Sequence, residues 1–496
     1  MSKKKKILKK VARPKLKLKK VTPRLKPETV TAPAPVIKEK GAEHLSPPRG
    51  MRDILPADEV YWNYIYDKSV ALARSFGYGM IETPILEQKA LFLRGVGQTT
   101  DIVQKEMYAF VDQGGEELAV RPEATASVAR AYINHGMVNL PQPIKVWYFG
   151  PFLRRERPQA GRSRQFHQWG LESLGEEHPI LDAEIISVAY HLFSDLGISV
   201  VVQINSIGCT TCRQQFKTEL VKFYRSKFEL LCDSCKERFQ RNPLRLLDCK
   251  ESQCELLKEG APQITDALDD ACRDHFMKVL EYLDDVGIPY ALNPYLVRGL
   301  DYYNRTVFEF VMEDREQKTE NGAETKKTEH EEAVEEGPSS VPRPPSLGAQ
   351  SALGGGGRYD GLVELLGGRP TPACGFSIGI ERTIAALKEL AVPLPPLFVP
   401  KVFIAQLGEN ARRKAFILWH AIRREIPVAA SLAKDGLKAQ LEAANHLGVR
   451  YAVIIGQKEI VDGTAIIRDM EAGIQEIVDY NKVISELRKK LTNQGT

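Results

Sequence analysis

Apolar and polar residues alternate along this chain in two recognisable periods, and their succession outlines the elements. Regular patterning begins near Pro47. Across residues 59–76, Val60, Tyr64, Val70 and Leu72 recur among polar neighbours, which predicts an amphipathic helix closed by Gly77 and followed by a strand, Met80–Ile85. Residues 118–121 read as a buried strand, and Pro122 suits the first turn of a helix after it. Two longer strand patterns, 144–153 and 164–174, flank a charged, glycine-containing hairpin. Helices are expected at 176–197 and 213–231, and a β-rich stretch at 290–312 with a turn at Arg298–Gly299. A further helix starts near Ile380, and Pro393, Pro395, Pro396 and Pro400 mark a linker. Beyond it, strand 401–407, helices 410–425 and 434–447, strand 450–455 and a last helix alternate. Strands joined by hairpins instead of crossover helices predict an α+β fold: a mainly antiparallel central sheet flanked by helices, then a small C-terminal α/β domain. There is no internal repeat.

Two stretches lack such patterning. Residues 1–40 hold 15 of the 69 Lys and Arg but only two of the 64 acidic residues. The chain is +5 overall, so the remaining 456 residues are net −8. This Lys-rich, Pro-broken segment has no continuous apolar core, which argues against a secretory signal. It reads either as a disordered, solubilising tail or as an arm that attracts RNA phosphates without reading sequence. The second stretch, 313–350, is acidic and rich in Pro and Ser, too poor in apolar residues to fold, and is expected to be a disordered loop. The chain therefore divides into a basic tail (1–46), a main domain (47–392) that contains a helical, cysteine-bearing segment (198–290) and the 313–350 loop, a linker (393–400) and a C-terminal domain (401–496).

Composition excludes several classes. At 43% hydrophobic and 27% charged residues, the chain is an ordinary soluble one, with no apolar run near the ~20 residues of a membrane span. Eight cysteines in 496 residues are too sparse for a disulfide scaffold and fit a reducing compartment, so a cytoplasmic location without membrane partners is expected.

Three constellations carry chemistry. The segment YFGPFLRRERPQAGRSRQFHQWGLE, from Tyr148 to Glu172, strings Arg154, Arg155, Arg157, Arg162 and Arg164 along two strands and their hairpin. Alternate strand residues share a face, so Arg154, Glu156, Gln168 and Glu172 can address one ligand. Arginines in that number suit a bulky anion, and Phe166 offers a face to a purine. LVRGLDYYNRTVFEF, residues 296–310, sets Arg298 among apolar residues, followed by Asp301, Tyr302 and Tyr303, a grouping able to orient a small polar ring. Third, Gly354–Gly357 runs into Arg358-Tyr359-Asp360, and GFSIGIER places Glu381 and Arg382 where a strand gives way to a helix. The glycines permit close approach of backbone to a ligand, and Arg382 can meet the outer phosphates of ATP.

Taken together these segments resemble the motifs of the class II aminoacyl-tRNA synthetases and, within that class, of the histidyl-tRNA synthetases. The 59–85 helix and strand are similar to motif 1, the dimer-forming element; Tyr148–Glu172 to motif 2; and GFSIGIER to motif 3. LVRGLDYY and GGGGRYDGL resemble the two peptides peculiar to the histidine-specific family, and RPEAT, residues 121–125, the loop that grips the amino acid. Ala124 stands where many relatives have Gly. The resemblance implies formation of histidyl-adenylate from L-histidine and ATP, with Mg2+, and transfer to tRNA(His) by a homodimer. It further implies that Glu123, Thr125, Gln168, Glu172, Tyr302 and Tyr303 hold the histidine. Arg154 would bridge the histidine carboxylate and the α-phosphate, Glu156 and Phe166 would take the adenine, and Arg162 and Arg382 the outer phosphates. Arg298 would stabilise the α-phosphate in the transition state. The C-terminal domain would bind the anticodon. A synthetase-like regulatory subunit of histidine biosynthesis is the rival reading, but such a subunit is expected to lose the phosphate-binding arginines and the C-terminal domain.

The cysteines form a separate question. Cys209-x-x-Cys212 and Cys232-x-x-Cys235 lie 19 residues apart, a spacing that suits one tetrahedral zinc site, with Cys249 and Cys254 as alternative ligands. Free cysteines also pack as small hydrophobes. No metal is assigned to the candidate active site.

Overall fold

The first helix, Glu59–Ser75, buries Ile65, Ser69, Val70 and Ala73 as one stripe, and Gly77 at φ 80 turns the chain out of it. The structure is a computed structural model that describes residues 45–98, 100–156, 163–313, 352–395 and 399–492. Most of the expected tail and loop, and the middle of the linker, lie outside these residues.

The strand expected at Met80–Ile85 does not form as one element. β1 is Gly79–Met80, and Pro84, which has no N–H to give a ladder, separates it from β2, Leu86–Gln88. β2 instead joins β3 (Ala109–Val111) and β4 (Glu117–Val120) in a small sheet of order β2-β4-β3. β4, expected to be buried, buries only Ala119. Nor does Pro122 open the next helix, which is Thr125–Asn134.

β5 (Ile144–Leu153) and β6 (Gln165–Leu174) pair antiparallel over ten residues each. With β7 (Val200–Ser206), β8 (Tyr290–Leu292), β9 (Asn304–Met312), β10 (Ala352–Arg358) and β11 (Ala373–Gly379) they make an eight-stranded sheet of order β1-β5-β6-β11-β10-β9-β7-β8. Among the described residues only the edge pairs β1–β5 and β7–β8 run parallel, so the sheet is mainly antiparallel, as expected. One face, with Trp147, Trp169, Leu171, Phe308, Phe310 and Phe376, shares a core with helices Glu59–Ser75, Ile180–Asp195, Asp270–Asp285 and Ile380–Glu389. The alternate positions Val146, Tyr148, Val307 and Ala373 look the other way, toward Ala124, Tyr132, Tyr302 and the segment 207–267.

The glycine run belongs to this sheet. A Cβ at Gly356 would stand 2.0 Å from the Gly375 carbonyl oxygen on β11, and one at Gly354 would stand 2.6 Å from that of Ser377. At the end of β10, Arg358 is wholly buried and grips Asp182 on helix Ile180–Asp195, with Nε donating at 3.0 Å.

The cysteine-bearing segment corrects one expectation. Cys209 and Cys212 do not meet Cys232 and Cys235. Helix Thr210–Arg225, 16 residues and so about 24 Å long, runs between the two pairs. Cys232 and Cys235 gather with Cys249 and Cys254, and Cys209 and Cys212 with Asp269 and Cys272.

The C-terminal region adds a five-stranded sheet. Its strands are β12 (Val402–Gln406), β13 (Val428–Ala430), β14 (Tyr451–Ile455), β15 (Thr464–Asp469) and β16 (Gln475–Asp479), in order β13-β12-β14-β15-β16. The first three are parallel, with helices Glu409–Ile422 and Leu437–His446 in the connections, as the alternation predicted. The antiparallel hairpin β15–β16 was not anticipated, although Gly473 at φ 72 between two alternating runs is its signature.

Candidate active site

A cavity of ≈ 1110 Å³ opens over the sheet face that carries Gln168 and Phe166. That exceeds an ordinary single-ligand pocket of about 300–1,000 Å³ and leaves room for a nucleotide and a second small molecule. Its walls include Glu123, Thr125, Arg154, Glu156, Phe166, Gln168, Arg298, Tyr302, Tyr303 and Arg382. Ten of the twelve residues singled out from the sequence therefore meet around one space. Arg162 lies outside the described residues. Glu172 does not line the cavity: it is buried behind Thr125, whose hydroxyl donates to it at 2.7 Å, while the Tyr359 hydroxyl donates at 2.5 Å.

Each wall is built from sequence outward. Glu123 accepts the N–H groups of Thr125 (2.7 Å) and Ala126 (2.9 Å), so it is fixed by the open N-terminus of helix Thr125–Asn134. The Tyr302 hydroxyl donates to the same carboxylate at 3.4 Å, and the Tyr302 and Tyr303 rings stand 4.6 Å apart. Gln168 donates to the Ser377 hydroxyl at 3.0 Å across the β6–β11 pairing. Arg154 donates through Nε to the Pro122 carbonyl (2.9 Å) and its guanidinium lies over the Phe166 ring. Arg382, at the start of helix Ile380–Glu389, donates to the Ala352 carbonyl at 2.6 Å.

Burial sets the electrostatics. It pushes the Glu172 carboxyl up to about 8, against the opposing pull of the Tyr359 and Thr125 hydroxyls. Burial also raises Glu123, although the Ala126 and Thr125 N–H groups resist it. For Arg298 burial pulls downward, but Glu309 and the two tyrosines outweigh it and the guanidinium holds its charge. The Glu123 carboxyl at the wall can receive an amine, and Arg154, Arg298 and Arg382 favour carboxylate and phosphate. The cavity thus suits an amino acid beside a polyanion.

Two segments of the chain match family models. A family model described as Histidyl-tRNA synthetase matches residues 50–323, and one described as Anticodon binding domain matches 401–490. Histidine–tRNA ligase of Pelotomaculum thermopropionicum is 43% identical over 452 residues, 90% of this chain and 98% of that protein. The chain belongs to the histidyl-tRNA synthetase family. A second relative, histidine–tRNA ligase of Dehalococcoides mccartyi, is 42% identical over 446 residues, 90% of this chain and 99% of that protein. The crystal structure of apo S. aureus histidyl-tRNA synthetase superposes with a TM-score of 0.70 at 32% identity, covering 89% of this chain and 99% of that one.

Within this member of the histidyl-tRNA synthetase family, three residues that shape the site lie in the quoted motifs but were given no role from sequence. Glu309 forms an ion pair with Arg298. Its signal was an acid between Phe308 and Phe310, which strand alternation turns away from the aromatic core. Tyr359 supports Glu172. Arg121, buried, donates to the Thr83 carbonyl at 2.7 Å and the Pro151 carbonyl at 3.1 Å, bracing the loop that carries Glu123.

Proposed function

We propose that this chain attaches L-histidine to tRNA(His) in two steps, activation by ATP to histidyl-adenylate and transfer to the tRNA. The observation that carries this reading is the meeting of Arg154, Arg298 and Arg382 with Glu123, Thr125, Gln168, Tyr302 and Tyr303 around one cavity. ATP enters as its Mg2+ complex. Glu123, Thr125 and Gln168 hold the α-amino group and ring of histidine, with Tyr302 and Tyr303 beside the imidazole. Glu172 acts from behind, by fixing the Thr125 hydroxyl. Arg154 draws the histidine carboxylate and the α-phosphate together, Glu156 and Phe166 receive the adenine, and Arg162 and Arg382 the outer phosphates.

Attack of a carboxylate on the α-phosphorus joins two anions, so fixed guanidinium groups lower the barrier where charge develops. Arg298 serves this transition state. Its pairing with Glu309 keeps it in place beforehand, so little reorganisation is needed during reaction. Residues 47–392 form the catalytic domain and 401–496, after the 393–400 linker, the anticodon-binding domain.

The same reading makes the chain a cytoplasmic homodimer. No described helix is long and apolar enough to cross a membrane. Met80, Ile85, Leu86, Phe110 and Val111 are exposed apolar residues around the segment similar to motif 1, which supports a second copy covering them. A regulatory subunit of histidine biosynthesis has no use for three phosphate-directed arginines in one cavity. Histidine-dependent ATP–diphosphate exchange, followed by charging of tRNA(His), tests the proposal. Exchange with histidine and its loss in Arg298→Ala are expected; no exchange in the parent protein refutes it.

A further inference from the structure

We propose that Cys232, Cys235, Cys249 and Cys254 hold one structural zinc ion that staples a wall of the catalytic cavity. The four sulfur atoms all lie within 4.8 Å of one another, and Cys232 Sγ stands 3.8 Å from Cys249 Sγ. Four sulfurs about 2.3 Å from a tetrahedral zinc ion are spaced about 3.8 Å apart, so the thiols already outline the coordination shell. They come from separate pieces of chain. Cys232 precedes helix Asp233–Arg241, Cys235 sits in its first turn, Cys249 follows the turn Pro243–Leu246, and Cys254 lies in helix Ser252–Leu257. Thiols used as apolar filler need only be buried; nothing requires all four sulfurs to converge. The Cys232 N–H also donates to Cys254 Sγ at 3.3 Å, which orients that sulfur.

The local structure calls for such a cross-link. Helices of nine and six residues joined by 3-10 turns have little stability of their own, and a metal ion bound only by the folded form adds its binding free energy to theirs. Four thiolates leave no open position, so the ion takes no part in chemistry. Its effect on the active site is mechanical. The same short segment carries Arg238 and Arg245 into the cavity wall. Arg238 lies 3.3 Å and Arg245 3.6 Å from Asp101, and Asn242 donates to Asp301 at 2.9 Å, close to Arg298. Cys232 and Cys249 themselves border the cavity. In the neighbouring group of Cys209, Cys212, Asp269 and Cys272, one Asp269 oxygen is already committed to the N–H of Cys272 at 2.8 Å. The inference is confined to the four-cysteine group.

The test is elemental analysis of the full chain purified without added metal, beside a Cys249→Ser, Cys254→Ser double variant. The variant is expected to carry one zinc ion per chain fewer than the parent. A parent free of zinc, iron in place of zinc, or equal zinc in both proteins overturns the proposal. A second measurement needs no variant. In the native parent, Cys232, Cys235, Cys249 and Cys254 should resist a thiol-alkylating reagent and then react together once a chelator is added, as read by peptide mass. Partly exposed Cys232 alkylated at once, without chelator, refutes the site independently of any catalytic assay.

Discussion

Arg298, in the segment between β8 and β9, and Glu309 of β9 are joined by an ion pair at the wall of the cavity, eleven residues apart in sequence. The acid fixes the guanidinium that the proposed mechanism places at the transition state. Removing the charge and removing its anchor should therefore have graded effects. Arg298→Ala is expected to lower histidine-dependent exchange by about 10²–10³-fold, as for loss of one preorganised donor. Glu309→Gln keeps the charge and loosens it, so a smaller loss, about tenfold, is expected in kcat. Equal losses in the two variants would show that Glu309 does more than position Arg298.

Glu172 makes stability depend on pH. Its folded value, about 8, lies above the ordinary 4.5, so the folded protein keeps a proton that the unfolded chain releases. The favourable contribution is complete below about pH 4.5 and is lost progressively as pH rises toward 8. Against Glu172→Gln, the parent should lose stability across this window with a slope of at most about 1.4 kcal/mol per pH unit. Parallel denaturant-midpoint curves for the two proteins would contradict this.

Asp182 works in the opposite sense. Burial alone would lift its carboxyl, but Arg358 and His275 hold it at about 2. Its contribution is present above the ordinary 3.8 and fades as pH falls toward 2. Asp182→Asn leaves buried Arg358 with only the partly exposed Asp360 as counter-charge and should cost up to about 3–5 kcal/mol at neutral pH, measured by urea unfolding.

The glycine run separates two substitutions that look alike in sequence. A Cβ at Gly356 meets the Gly375 oxygen at 2.0 Å, whereas one at Gly361 meets nothing within 4 Å. Gly356→Ala should destabilise by about 1–3 kcal/mol or prevent soluble expression, while Gly361→Ala, at φ −89, should change stability by less than about 1 kcal/mol.

For the basic tail, deleting residues 1–40 removes 15 Lys and Arg and should weaken tRNA binding chiefly at low salt. The readout is the slope of binding against salt concentration. Identical slopes for full-length and shortened chains would assign the tail no RNA role.

Much of the site was readable before any coordinates because strands announce their faces. Phe166, Gln168 and Glu172 share the parity that β6 turns from the Trp169–Leu171 core, and ten residues per strand leave no doubt of register. What alternation does not carry is depth. Glu172 has the right parity but sits beneath Thr125, a matter of how helix Thr125–Asn134 packs over the sheet. The cysteine pairing failed for a related reason: spacing along the chain ignored the rigid helix Thr210–Arg225 that holds the two pairs apart. Pro84 was a legible stop within the expected strand 80–85, and hairpin β15–β16 was legible from alternation around Gly473.

The glycines on the cavity side bear on inhibition. Gly354, Gly355 and Gly375 present bare main chain to whatever occupies the cavity. A side chain at Gly355 would collide with Arg298 Nη1 at 2.8 Å and the Phe308 carbonyl at 2.5 Å, and one at Gly375 would run into Glu172 Oε2 at 1.7 Å. A compound pressed flat against Gly355 and Gly375 would be hard to evict by enlarging either, because the new side chain would first displace Arg298 or Glu172, two residues of the proposed site. On the proposed mechanism, substitutions that weaken such a compound without loss of activity are expected at other positions of the cavity wall.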